Sequence, residues 1–472
     1  MNKIKAFKTN LIYALIAQTI SLLLSLIISF IVPKFLGVEE FGYWQLFVFY
    51  SSYVNIAQLG ISDGLYLRLG GENYKDLDFE VIGSQFKIFV IGQVIISGVI
   101  LLISTLFIDN IQRKYILIAV AIYLFLYNIS RFIGFVFQAV NKTKEFSITT
   151  IIDRSIVIIS VFIILILNIY DYKFFIGIYL LGMLTSLIYS VYKGRKIVFC
   201  RKFNITRAFY ELKINITIGI KLLISNFASV LIIGISRFLI DSKWGISVFG
   251  KISFAISLTN FFLLFINQVS MVLFPALRQI KGNMLEKYYE MINIALGLIL
   301  PIIYLLYLPL QFILSLWLPQ YQESFKYLAL LLPICIFDGK MQMLCNTYFK
   351  VLRKENALLI INIISFGLSF ILSIVGIFIF ENLMFIIISI VIVIAIRSII
   401  SEIYLNKSMK IKVKKNILYE ILLSFIFVVL FTQCGMTISF IGYSIVYILY
   451  IIINKNNIKW LINISKDMVN GG

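Results

Sequence analysis

The sequence predicts an all-α polytopic membrane protein of about 14 transmembrane helices, arranged as two six-helix bundles in parallel pseudo-repeat with two further C-terminal helices. Three observations predict it. First, 61% of the 472 residues are hydrophobic, only 14% are charged and the mean hydropathy is +0.99. Such a chain has too little polar surface to coat a water-soluble domain of useful size. Second, apolar segments follow one another along the whole chain. Each has roughly the 20 residues that a hydrocarbon core about 30 Å thick demands, and each must be helical so that its backbone groups pair internally. Third, Lys and Arg alternate from gap to gap between these segments.

In order, the first six segments run 9–31, 41–67, 81–108, 115–140, 147–167 and 174–192. A basic polar stretch follows. Beyond it lie 214–240, 246–274, 284–310, 325–349, 357–380, 384–404, 417–431 and 438–453. The expected organisation is an N-terminal lobe (1–192), a basic cytoplasmic linker (193–213), a C-terminal lobe (214–404), and two extra helices with a cytoplasmic tail (405–472). Cytoplasmic loops retain positive charge. One set of alternate gaps carries 28 Lys and Arg, counting Lys287 at the mouth of its segment, and the other set carries 5. The asymmetry places both termini in the cytoplasm of a bacterial cytoplasmic (inner) membrane, with a multi-pass chain between them.

The net charge of +20 is accounted for by this topology. It is spread over many loops instead of forming one basic face, which argues against nucleic-acid binding. The apolar run after residue 8 is too long for a signal peptide and lacks an A-x-A-like cleavage site, so it is expected to be the first membrane segment. The chain has no histidine, which removes imidazole catalysis and His metal sites. Cys200, Cys335, Cys345 and Cys434 show neither metal nor disulfide spacing. No phosphate-binding G-x-x-x-x-G-K-S/T loop occurs, so no cofactor, no metal and no built-in ATP motor are expected.

Nine basic residues remain within or at the edges of the segments: Lys87, Arg131, Arg154, Lys221, Arg237, Lys251, Lys326, Lys340 and Arg397. Lys87 and Lys326 lie near segment ends, where a long side chain reaches the headgroups. Arg131, Lys221, Lys340 and Arg397 lie deeper. At about 3 kcal/mol each, four lipid-facing cations would cost roughly 12 kcal/mol, comparable with the whole stability of a typical domain, ~5–15 kcal/mol. They are therefore expected to face a hydrated or anion-filled interior. With Arg237 and Lys251 they are the candidate substrate-binding cations, and Arg68 is placed at the cytoplasmic entrance. Asp63, Asp153, Asp338 and Glu402 are the acidic residues weighed against them. Local pairing of Asp338 with Lys340, or of Glu402 with Arg397, is the competing reading, but positions two or five apart do not face each other on a helix. Asp63, Asp338 and Glu402 are candidates for carrying a coupled proton or for balancing cations, and no sodium site can be identified.

Polar residues recur at helical offsets on several segments. They include Gln18, Ser21, Ser25 and Ser29 on the first; Ser51, Asn55, Gln58 and Ser62 on the second; and Asn128, Arg131, Gln138 and Asn141 on the fourth. Others are Lys221, Ser225 and Ser229 on the seventh, Ser253, Ser257 and Asn260 on the eighth, and Asn362, Ser365, Ser369 and Ser373 on the eleventh. Serine-only stripes read as glue between helices; stripes joined by a cation or amides read as a cavity wall. Pro275, Pro301, Pro309 and Pro333 mark kinks in the eighth to tenth segments.

The connection after the first segment, Lys34-Phe35-Leu36 then Phe41-Gly42-Tyr43-Trp44, is echoed after the seventh by Arg237-Phe238-Leu239 then Phe249-Gly250-Lys251-Ile252. Six segments separate the two, an even number, so the halves share one orientation. With PKFLGVEEFGYWQL (33–46), LGISDGLYLRLGG (59–71), FQAVNKTKEFS (137–147), NITIGIKLLISNF (215–227) and FGKISFAISLTNFFLLFINQVSMVLFPALR (249–278), the chain resembles the polysaccharide repeat-unit flippases, of O-antigen and capsule type, of the multidrug/oligosaccharidyl-lipid/polysaccharide exporter superfamily.

That resemblance implies a V-shaped transporter with a central cavity built largely from segments one, two, seven and eight. It implies translocation of undecaprenyl-diphosphate-linked oligosaccharide by alternating access, membrane lipids as surroundings, and a polysaccharide polymerase and other assembly proteins as partners. It also implies a lipid-tail groove along the last two segments, which here read as nearly charge-free. A diphosphate suits buried Arg through paired contacts and Lys as a point charge. Two alternatives stay open. One is an integral-membrane polymerase or ligase acting on the same lipid-linked sugars, although the outer gaps are short and the acidic pair Glu39 and Glu40 is the only one in the first of them. The other is a drug or peptidoglycan-precursor exporter of the same superfamily.

Overall fold

The computed structural model describes residues 2–279, 284–411 and 416–470; Lys281, Lys412, Lys414 and Lys415 of the charge balance lie outside them. No strand occurs among the described residues. By its internal contacts the chain forms two compact units, Met1–Phe227 and Ala228–Gly472, so the division falls inside the seventh predicted segment.

The first unit opens with α1 (Asn2–Leu26), which runs through a π-helical turn at Ile27–Ile31 into α2 (Val32–Phe35). Then come α3 (Val38–Ser51), a 3-10 turn at Val54–Gln58, α4 (Ile61–Arg68), α5 (Phe79–Phe107), α6 (Ile111–Ala139), α7 (Thr143–Ile166), α8 (Tyr172–Lys193), α9 (Arg195–Val198) and the first part of α10 (Ile205–Gln279). Side chains start several of these helices. Asp78 accepts from the Glu80 and Val81 amides, Asn110 from Arg113 and Asp171 from Lys173, each relieving N–H groups that have no partner within the helix. Glu40 accepts from the Tyr172 amide at 2.9 Å, so one carboxylate of the Glu39–Glu40 pair serves as a cap for α8. Helix α6 is the hub, packing on α3, α4, α5, α7 and α8. Its Phe132 meets Phe86 and Phe89 with ring centroids at 5.4 and 5.1 Å.

Patterning on α5 is the reverse of a soluble helix. Gln93, Ser97 and Ser104 are buried, while Ile91, Ile95, Leu102 and Leu106 are exposed, as lipid solvent requires.

The second predicted segment, 41–67, is interrupted. Leu59 and Gly60 adopt left-handed backbone (φ 52° and 80°), which ends the 3-10 turn and re-aims the chain into α4. Beyond the break, Gly60, Gly64 and Gly219 let α4 and α10 touch backbone to backbone. A Cβ on Gly219 would lie 2.0 Å from the Gly60 carbonyl oxygen, and one on Gly64 would lie 2.1 Å from that of Asn215. Gly60 at the break and Gly64 one turn into α4 allow this close approach within a membrane.

The second unit holds the rest of α10, then α11 (Met284–Ile299), α12 (Ile302–Trp317), α13 (Gln322–Leu331), α14 (Pro333–Lys340), a π-helical turn at Met341–Cys345 and α15 (Asn346–Val351). It continues with α16 (Glu355–Phe378), α17 (Leu383–Ser408), α18 (Asn416–Gln433), α19 (Met436–Ile453) and α20 (Lys455–Asn470). Serines of the eleventh predicted segment act as glue: Ser373 lies 2.7 Å from the Ser236 hydroxyl and Ser369 donates to the Ile232 carbonyl. Pro301 separates α11 from α12 and has no N–H for the Gly297 carbonyl four residues back. Tyr450 of α19 donates to that carbonyl at 2.9 Å, and Tyr447 and Tyr443 donate to those of Leu298 and Pro301 at 2.8 and 3.3 Å. Pro333 sits at a 44° bend between the run ending at Leu331 and the one ending at Val351. Pro309 lies within α12; the side chain of Pro275 lies outside those described.

Among the described residues 11 helices, or 12 with the bent pair around Pro333, are long and apolar enough to cross a membrane, fewer than the fourteen expected. Two features account for the difference. The broken second segment offers no continuous helix of sufficient length. Predicted segments seven and eight form one helical run, Ile205–Asn267, of 63 residues. At 1.5 Å per residue it would extend about 95 Å, three times the hydrocarbon thickness. Its break is Gly245 (φ 78°, ψ −177°). Gly245 stands four residues before Phe249-Gly250, as Gly37 stands four before Phe41-Gly42, which extends the repeat by a turn residue in each half.

Gly219→Ala should lower stability by at least about 1–3 kcal/mol, because the backbones it separates cannot yield as a side chain would. Gly98→Ala, whose Cβ meets nothing within 4 Å, should be neutral or stabilise by up to about 1 kcal/mol. Thermal unfolding of the two detergent-purified variants measures the contrast.

Candidate functional site

The break in the second segment creates the first polar centre. A chain that leaves helical geometry inside a membrane frees carbonyls that water cannot satisfy. Asn128 of α6 donates to the Val54 carbonyl at 3.0 Å and to Gln93 Oε1 at 2.7 Å, and Gln93 of α5 donates to the Ala57 carbonyl at 3.0 Å. Gln58 completes the net by donating to Asn55 and to Asn128 Oδ1, the latter at 3.1 Å. Four amides from three stretches of chain thus hold the interruption in place.

One turn along α6 from Asn128 lies Arg131. Its guanidinium rests on the rings of Tyr127 and Phe146, 5.0 and 5.3 Å from their centroids, and forms no ion pair among the described residues. It borders a small polar cavity with Ser130, Thr149, Asp153, Arg154 and Ser186. Asp153 is 3.5 Å from Arg154, so two guanidiniums share one carboxylate's neighbourhood. Lys221 on α10 is exposed and has no partner among the described residues. Asp63 is half-buried between Gly60 and Gly64 and likewise has none. Arg68, in contrast, is engaged: it bonds Glu211 at 2.7 Å and Asn215 Oδ1 at 2.8 Å, and Asn215 in turn donates to Gln85 at 2.8 Å.

The second unit holds the densest buried charge. Lys340, at the end of α14, is 1% exposed. Its ammonium lies 2.6 Å from Glu402 of α17 and 2.8 and 3.0 Å from the two oxygens of Glu420 of α18. Asn293 of α11 donates to Glu402 at 2.7 Å. Four helices therefore converge on one ammonium. Beside it, Arg397 of α17 donates to Asn362 at 2.9 Å and approaches Asp338 at 3.4 Å, and Gln342 donates to the other Asp338 oxygen. The partners are exchanged relative to the local pairs considered from spacing: Lys340 takes Glu402, and Arg397 takes Asp338. Geometry along one helix disfavours the local pairs, but the packing of α14 on α17 supplies the crossed ones.

Arg237 stacks over Phe249 at 5.0 Å and donates to Ser253 at 2.8 Å. Lys251 reaches Glu323, the only charge of the 311–324 gap, at 2.7 Å. Six of the seven candidate cations thus fall into two groups in the structure. Lys340, Arg397, Lys251 and Arg68 hold carboxylates, whereas Arg131 and Lys221 form no ion pair among the described residues.

A family model described as polysaccharide biosynthesis protein matches residues 7–281. The chain belongs to that family. No curated protein sequence matches this polysaccharide biosynthesis family member significantly. Among solved structures, it is similar to the lipid II flippase MurJ in an inward closed conformation, with TM-score 0.64 and 16% identity over 95% of this chain and 100% of that one. It is also similar to an inward-facing multidrug resistance MATE family transporter of the MOP superfamily (TM-score 0.60, 15% identity, 84% and 98% covered). A third is a MOP superfamily transporter from Pyrococcus furiosus (TM-score 0.53, 14% identity, 86% and 96% covered). At these identities the likeness is one of fold, and the fold is that of the MOP-superfamily transporters.

Sequence reasoning missed Glu420 and Asn293. Glu420 is the only charged residue of segment 417–431, and a single carboxylate in such surroundings was the available signal. Asn293 offered none, as an isolated amide in an apolar run.

Removing the ammonium alone leaves two buried carboxylates facing each other. Lys340→Ala should cost about 3–5 kcal/mol, whereas replacing the whole cluster, with Lys340→Met, Glu402→Gln and Glu420→Met together, should recover most of that loss. Denaturation midpoints of the two purified variants decide between them.

Proposed function

We propose that this protein is a flippase that carries undecaprenyl-diphosphate-linked oligosaccharide repeat units across the bacterial cytoplasmic membrane for cell-surface polysaccharide assembly. Family membership in the polysaccharide biosynthesis proteins supports this reading, and the fold is that of transporters, one of which is the lipid II flippase MurJ. The observation that carries the reading to an anionic headgroup is the state of Arg131 and Lys221, cations in membrane segments with no ion pair among the described residues. A cation in a membrane segment that forms no ion pair is stabilised by an anion that arrives with the substrate.

In this reading the protein works by alternating access along a cationic route, with both termini in the cytoplasm and a polysaccharide polymerase acting on the delivered unit. Arg131 and Lys221 lead the set of headgroup contacts, and Arg237 belongs to it. Arg68, Lys251, Lys340 and Arg397 remain in the set, but each must first exchange a carboxylate partner. For coupling, Asp63 is the proposed proton carrier that already stands open, while Asp338 and Glu402 would do so by releasing Arg397 and Lys340. The two-lobe organisation with linker 193–213 and the extra helices 405–472 is kept as part of the proposal.

The test is a proteoliposome containing the purified protein alone and a lipid-diphosphate oligosaccharide, with an external glycan-cleaving enzyme as reporter. Protein-dependent exposure of intact substrate is expected, with at least a tenfold lower rate for Arg131→Gln, Lys221→Gln. Altered glycan length or released undecaprenyl diphosphate would instead establish the polymerase or ligase alternative. Equal exposure of a lipid-linked peptidoglycan precursor would favour the exporter of broader cargo.

A further inference from the structure

Three of the gaps assigned to the cytoplasm meet at one end of the first unit. The loop after α4 contributes Tyr74 and Lys75, the turn between α6 and α7 contributes Lys142, and the end of α8 with α9 contributes Lys193, Arg195 and Lys196. They line an open cavity of about 680 Å³. The backbone fixes this convergence. Gly71, with φ 98°, donates its amide to the Ala139 carbonyl at 3.2 Å, drawing the first loop onto the end of α6. Asn141, with φ 59°, turns the chain so that the Lys142 amide reaches the Phe137 carbonyl at 2.8 Å.

Five cations face Asp76 as the one acidic lining residue. Only Lys193 has an ion pair among the described residues, a long one to Glu145 at 3.9 Å. Lys142 is held over the ring of Tyr74 at 3.7 Å and Lys196 over Phe79 at 5.5 Å, contacts that orient an ammonium without neutralising it. Burial first, and then the Lys193 and Lys196 ammoniums, lower Lys142 below the ordinary lysine value against the pull of Glu145. Topology requires positive charge on this side of the membrane. It does not require that five cations share one concavity, where they repel one another. A bound anion relieves that repulsion, and the more charge it carries the more it relieves.

Depth narrows the choice of anion. Lys193 lies 5.7 and 5.8 Å from the rings of Tyr189 and Tyr192, and Tyr192 is 65% exposed at the end of a membrane-length helix, where tyrosines sit at headgroup level. We propose that this cavity is a docking site for the phosphate or diphosphate headgroup of a lipid in the cytoplasmic leaflet. The proposed function bears on it only in naming which lipid.

The test is native mass spectrometry of the full-length protein titrated with undecaprenyl diphosphate, phosphatidylglycerol and inorganic pyrophosphate. Lys142→Gln, Arg195→Gln, Lys196→Gln together should weaken lipid binding at least tenfold, and the single reversal Arg195→Glu should weaken it in the same direction. A control with Lys350→Gln, Lys455→Gln, Lys459→Gln should bind as the unaltered protein does. Preference for undecaprenyl diphosphate identifies the cargo as the occupant, and equal binding of phosphatidylglycerol identifies bulk anionic lipid. Pyrophosphate bound as tightly as either lipid overturns the lipid assignment. Undiminished binding by the cavity variants, or equal loss in the control, overturns the site. A protein that binds lipid here yet exposes no glycan in the proteoliposome keeps the site and loses the transport reading; the reverse result loses only the site.

Discussion

Inside a hydrocarbon slab there is no water to complete a hydrogen bond, and every feature of interest here is a response to that constraint. The helix interrupted at Leu59 and Gly60 is tolerated because Asn128 and Gln93 reach its carbonyls. The helix interrupted at Pro301 is tolerated because Tyr450 supplies the donor that proline lacks. Lys340 is tolerated because Glu402 and Glu420 surround it. In each case the chain uses a side chain from a distant stretch of sequence, so local irregularity and long-range packing are one problem with one solution.

That coupling also explains what could be read from the residues alone. Helix existence, approximate ends and the family were legible, because apolar runs, loop charge and short ordered strings are local properties. Lys340, Glu402, Arg397 and Asp338 were recognisable as costly charges. Their partners were not, since pairing across α14 and α17 depends on how two helices face each other and spacing reports only on one. Glu420 escaped notice because its segment is otherwise so apolar that it read as packing. The interruption at Leu59 and Gly60 was hidden for a similar reason: a single glycine within a hydrophobic run is common, and only the amides opposite it mark the spot.

Charge in this chain has two physical origins. In the membrane segments it is scarce, and its densest cluster, Lys340 with Glu402 and Glu420, is buried and paired. At the loop ends it is plentiful. The cavity bordered by Lys142, Arg195 and Lys196 shows how the second kind acquires shape. Left-handed turns at Gly71 and Asn141 bring loops together that topology alone would leave apart. In the proposed site, loop charge of the kind that sets topology is also the charge that holds a ligand, gathered by backbone geometry.

The C-terminal helices bear on how such a protein could be rebuilt. α18 brings Glu420 to Lys340, and α19 brings three tyrosine hydroxyls to the carbonyls around Pro301. A chimaera that grafted these two helices from a relative would import or delete a full unit of charge in the middle of the second unit, and would open or close donors at a proline it does not itself contain. The pair is therefore not a detachable module. Without the pair, the Lys340 ammonium would keep Glu402 as its one carboxylate and the Gly297 carbonyl would lose its tyrosine donor.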